Sequence, residues 1–261
     1  MANVEGASPP SDAGEPDREL PERGSDELRP QFRSQLDRIQ VGISRLSAGV
    51  GELIPRATQI LLDGDLEGAD YLILGDAEYD RKAAELEDDC FQAFALQAPV
   101  ATDLRSVVAA IKIIADVERS ADLCVNICKA TRRLHGHPLD ARLRGIIQKM
   151  GDQAHLMFKQ ATEAYLNVDG PAAAALRDMD SYLDELHRQF IQSIFESHAS
   201  NNMELQPAVQ LAVIARFYER IGDHAVLVGD RTRFIASGWV PDHPYPESDN
   251  DLSPAAGIRE D

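Results

Sequence analysis

Cysteine is scarce in this sequence. The three present are Cys90, Cys124 and Cys128. An odd, small number builds no disulfide framework and suits a reducing cytoplasm. Cys124 and Cys128 stand four apart on one apparent helix, with no CxxC and no neighbouring His to complete a site, so they read as buried apolar thiols. Long uncharged apolar runs are missing as well, and nothing approaches the roughly 18–20 residues of a membrane span. The start, MANVEGASPPSDAGEPDREL, has neither a basic opening nor an apolar centre, so it does not read as a secretory signal. Basic residues are the third shortage. The chain has 26 Lys and Arg against 44 Asp and Glu, a net charge of −18. That argues against nucleic-acid binding, which sets Lys and Arg against phosphate, and is compatible with cations or basic protein partners. There is no Gly-rich phosphate loop to support an ATPase, and no local Ser/His/Asp or Cys/His signature of nucleophilic catalysis.

What is present is helical periodicity, and it points to an all-α fold. Apolar residues make up 44% of the chain and recur at three- and four-residue spacing, while Gly and Pro fall mostly between the periodic runs. Residues 1–28 and 238–261 lack that period, are rich in Pro, Ser and acidic residues, and are expected to be disordered tails. Six long helices are expected between them, over about 29–63, 65–96, 101–135, 139–167, 171–198 and 203–237. Short connections between long helices imply antiparallel neighbours in a bundle.

The chain also repeats itself. IADVERSADLCVNICK in the third segment answers IARFYERIGDHAVLVGD in the sixth, with Glu118, Arg119 and Asp122 matching Glu219, Arg220 and Asp223. In the second segment Asp76-x-x-x-Asp80 answers Asp180-x-x-x-Asp184 in the fifth, at nearly the same offset. Two such echoes divide the chain into two copies of a three-helix unit, 29–135 and 139–237. Each copy carries one acidic pair on its second helix and one on its third.

Residues four apart share a helix face, and two carboxylates placed so repel each other by a few tenths of a kcal/mol. Water, a basic partner or a cation must offset that repulsion. Pairs from two adjacent helices would gather Asp76, Asp80, Glu118 and Asp122 in one half and Asp180, Asp184, Glu219 and Asp223 in the other. Oxygen-rich sets of this kind suit hard cations. Three readings stay open: a solvated stripe, a metal site or a docking surface. Di-iron bundles use Glu-x-x-His, which is absent here; Asp152-x-x-His155 and Asp184-x-x-His187 are the nearest approximations. His224, beside Asp223, is a further nitrogen ligand to consider, although a lone helical His is more often packed.

Two tandem three-helix units with this signature resemble the PhoU family. The resemblance is carried by LQAPVATDLRSVVAAIKIIADVERSAD at 96–122 and LAVIARFYERIGDHA at 211–225, and it covers about 29–237. It implies a cytoplasmic, non-enzymatic negative regulator of phosphate uptake and of the phosphate-starvation response. Such a protein is an adaptor between the phosphate ABC transporter, through its ATPase subunit, and a sensor histidine kinase. It meets the membrane only through those partners and pairs as a homodimer. The resemblance also implies metal ions (Fe, Zn, Mg or Mn) on the eight carboxylates named above, with Asp116 as a possible ninth ligand. The alternative is a metal-binding bundle with storage or metal-dependent enzymatic activity. Ser120 and Ala121 depart from the usual Ile-Gly of the family motif, Asn126 is answered by Leu227, and Arg105 by Gln206. These departures weaken any claim that the two sites are equivalent.

Overall fold

Helix starts are set by aspartates. Asp65 accepts a hydrogen bond from the Gly68 amide at 2.9 Å, Asp140 from Leu143 at 2.8 Å and Asp169 from Ala172 at 3.0 Å. Each satisfies one of the first-turn N–H groups that a helix leaves without a partner. Pro171 sits in the first turn of the helix that Asp169 caps, where its missing N–H costs nothing.

The computed structural model describes residues 25–97, 99 and 101–240. Seven helices follow in order: α1 (Ser25–Asp63), α2 (Leu66–Leu74), α3 (Asp76–Gln97), α4 (Ala101–Leu134), α5 (Ala141–Asn167), α6 (Gly170–Ala199) and α7 (Leu205–Ser237). No strand occurs among the described residues. The expected all-α pair of three-helix units is therefore observed, with one difference. The single segment expected over 65–96 is two helices, broken at Gly75, whose amide bonds back to Tyr71 and Leu72 while Asp76 opens α3. Apolar α2 and acidic α3 can then pack independently against α4. The expected tails fall largely outside the described residues. Where they overlap, α1 begins at Ser25, and Gly238–Val240 follow α7 as ordered chain.

In the first half α3 packs on α1 and α4; in the second, α6 packs on α5 and α7. The halves meet through α1 against α5 and α4 against α7. Inner helices α1, α4, α5 and α7 thus form one continuous apolar core, with α3 and α6 as outer helices. Tyr218 of α7 is fully buried in that core, and its hydroxyl meets Thr58 of α1 at 2.8 Å. A buried hydroxyl without a partner costs about 1–3 kcal/mol, so this bond fixes how the halves seat. Cys90, Cys124 and Cys128 are free and fully buried, as the apolar reading expects. Burial pushes the Cys90 and Cys128 thiols up to about 12.

Candidate metal centre

The acidic pairs lie where each outer helix meets an inner one. In the first half Asp76, Asp80 and Asp122 each bring one carboxylate oxygen within 4.8 Å of the others. Asp76 is half-buried, and one of its oxygens is sealed from solvent with no hydrogen-bond partner. Burial, then the charges of Asp80 and Asp122, push its carboxyl up. Glu118 stands beside this trio rather than within it. Its carboxyl is also raised, chiefly by burial and then by Asp122 and Asp80.

The second half repeats the arrangement. Asp180 and Glu219 are half-buried while Asp184 and Asp223 are exposed, the same division as Asp76 and Glu118 against Asp80 and Asp122. One oxygen of Asp180 and one of Glu219 are sealed from solvent and unpaired. Asp180 is pushed up to about 6, first by burial and then by Asp184, Asp223 and Glu219. Glu219 is raised by burial and Asp223, against the opposing pull of Arg216. Arg216, one turn earlier on α7, forms an ion pair with Glu219. Among the described residues this second set does not close to the spacing of the first trio. Glu219 is instead paired along α7 with Arg216. The i,i+3 spacing in RFYE was the sequence signal for this pair.

Gly222 holds the second set together. A Cβ there would lie 2.5 Å from Leu183 Cδ2 and 3.0 Å from Asp180 Oδ1. Only the missing side chain lets α7 approach α6 this closely. Ala121 occupies the matching position of the first half and is buried, so the two halves are not identical.

Three residues considered for the site lie elsewhere. Asp116 is about 200° around α4 from Glu118, on the opposite face. It faces His224 of α7 at 3.3 Å, and both are buried in the seam between the halves. His224 therefore belongs to the seam, not to the second carboxylate set. His155 is held by the Gly51 carbonyl at 2.9 Å, a packing role. Arg119 and Arg220 are exposed and form no ion pair with a described carboxylate.

Unpaired buried carboxylate oxygens, repelling neighbours and raised carboxyls are what an oxygen-ligated cation would relieve. The donor sets fit such an ion. All eight donors are carboxylates, which suits Mg, Mn or Fe better than Zn, whose sites favour His and Cys.

Comparison with known proteins agrees with this architecture. The family model described as PhoU domain matches twice, over residues 43–131 and 147–232, once in each half. The chain is 34% identical over 215 residues to the phosphate-specific transport system accessory protein PhoU homolog 2 of Mycobacterium tuberculosis, spanning 82% of this chain and 100% of that protein. It is 34% identical over 216 residues to PhoU homolog 1 of Mycobacterium leprae, spanning 82% of this chain and 96% of that one. The crystal structure of the phosphate transport system regulatory protein PhoU from Streptococcus pneumoniae shares the fold with a TM-score of 0.75 at 22% identity, covering 81% of this chain and 100% of that chain. PhoU from Pseudomonas aeruginosa does so with a TM-score of 0.75 at 20% identity, covering 80% and 100%. With the domain matched in both halves and relatives aligned over nearly their whole length, this chain belongs to the PhoU family.

Proposed function

We propose that this protein is a cytoplasmic negative regulator of phosphate uptake and of the phosphate-starvation response. It acts as an adaptor between a phosphate ABC transporter, through its ATPase subunit, and a sensor histidine kinase. The observation that carries this reading is the alignment, over 82% of this chain, with proteins named as accessory to a phosphate-specific transport system. The shape of the molecule supports it. No described helix is long and apolar enough to cross a membrane, so contact with a transporter would run through protein surfaces.

The twin carboxylate sets give that adaptor a cation-dependent face. Asp76, Asp80 and Asp122, with Glu118 beside them, hold one ion; Asp180, Asp184, Glu219 and Asp223 hold the other. A bound cation supplies positive charge that cancels the repulsion within each set. The carboxylates then fix the α3–α4 and α6–α7 pairings, and with them the outer surface offered to a partner. A pair of such molecules would present four sets; sedimentation of the purified chain reports whether it is a homodimer.

A strain deleted for this gene tests the proposal. Its phosphate-responsive reporter is expected to be on in rich phosphate. A reporter that stays silent in rich phosphate and responds normally to starvation rules the regulator out. Recovery of the kinase and the transporter ATPase with the tagged chain tests the adaptor role separately.

A further inference from the structure

One end of the α4–α7 seam carries a group of basic residues. Arg105 and Lys112 of α4 and Arg231 of α7 form no ion pair with any described residue. Arg177 and Arg233 share Asp230, at 2.8 and 3.8 Å. Lys112, Asp230 and Arg231 line one pocket at this end.

The chain beyond α7 closes this corner into a cavity. Gly238 ends α7 in the left-handed region at φ 75°, its amide bonded to the Phe234 carbonyl at 2.9 Å. That turn lays Trp239 back along the helix, where the Arg233 guanidinium stacks 3.3 Å from the ring centroid. A Cβ at Gly238 would come within 3.6 Å of the Arg105 guanidinium, so the turn also sits against α4. The cavity has a volume of about 150 Å³. Val108, Phe234 and Trp239 make apolar walls, and Lys112, Arg231 and the carboxylate of Asp230 line it with charge. Arg231 Nε is sealed from solvent and has no acceptor among the described residues.

We propose that this cavity binds a phosphate dianion, free or carried on a small molecule, between Lys112 and Arg231. The unpaired Nε–H is a buried donor whose desolvation only an acceptor offsets. A guanidinium and an ammonium from two helices match two negative charges better than a single carboxylate's one. Asp230 does not repel the ligand on balance, because Arg177 and Arg233 already neutralise it. The apolar walls displace water and strengthen both contacts. This site is separate from the carboxylate sets and does not depend on the regulatory reading.

Calorimetric titration of the full chain with inorganic phosphate, and separately with phenyl phosphate, tests it. Chelator in the buffer keeps cations off the carboxylates, so that no bound metal can bridge to phosphate. Saturable binding is expected, weakened roughly tenfold or more in Arg231→Gln and in Lys112→Gln, as loss of a charged hydrogen bond implies. Lys112 is exposed, so its substitution leaves the fold intact. Tighter binding of phenyl phosphate that is lost in Trp239→Ala assigns the anion to an organic phosphate ester; equal affinities assign it to free phosphate. No saturable binding of either probe, or affinity unchanged in both cation variants, overturns the proposal. Neither result depends on the reporter strain, so the regulatory reading stands or falls on its own experiment.

Discussion

Asp116 and His224 face each other at 3.3 Å across the seam between the two halves, each almost wholly buried. One comes from α4 and the other from α7, and each lies on the same helix as a carboxylate pair. Removing either leaves the other polar and buried without a counterpart. His224→Leu is expected to destabilise the chain by about 2–4 kcal/mol, more than the loss of its apolar area explains. Adding Asp116→Leu should recover part of that loss. Chemical denaturation of the two single variants and the double variant measures the coupling.

Gly222 predicts an asymmetry between the halves. Gly222→Ala drives a methyl into Leu183 and Asp180 and should cost about 1–3 kcal/mol, as overpacking does. It should also weaken cation uptake by the second set and spare the first. Ala121→Gly, the reverse change in the first half, should cost only about 1 kcal/mol of helix propensity and cavity. Thermal melts with and without added Mg or Mn separate these effects.

Asp180 predicts a pH dependence. Its carboxyl is raised from 3.8 to about 6. Between those values the native chain holds the proton and the unfolded chain does not. The group therefore stabilises the metal-free protein at low pH, and that contribution is lost as pH rises through about 6. A bound cation competes with the proton, so affinity in the second half falls as pH drops through the same window. Asp180→Asn should flatten the metal-free slope between pH 4 and about 6 relative to wild type, as melting curves across that range would show.

Much of this was legible in the sequence, for reasons that differ by element. The helical period and the aspartate caps are local, so α4 to α7 fall near their expected bounds. The eight carboxylates are legible because the chain writes the same self-repelling pair twice at one offset. The break at Gly75 was hidden, since apolar spacing runs on from LEGADYLIL into the acidic stretch. Helical phase alone separates Asp116 from Glu118, so its placement among the ligands ignored a readable signal. The contact with His224 was not readable, because it depends on how α4 packs on α7. The cationic cavity joins Lys112 to Arg231, which are distant in sequence, and needs the turn at Gly238.

That turn gives a further prediction with a clean readout, because Trp239 is the only tryptophan. Gly238→Ala forces a side chain into the left-handed region and should cost about 1 kcal/mol. Trp239 should then leave Arg233, with a red-shifted emission that marks its exposure to water. Unchanged emission would mean that the ring holds its place without the turn.

The most direct measurement returns to the paired carboxylates. A deletion strain carrying a phosphate-responsive reporter is complemented either with the wild-type chain or with Asp80→Asn/Asp122→Asn/Asp184→Asn/Asp223→Asn, all four exposed positions, and the metal content of both purified proteins is determined. The prediction is that the wild-type chain carries cation and silences the reporter in rich phosphate, while the folded variant carries little and leaves it on. Equal metal content together with equal silencing would contradict it.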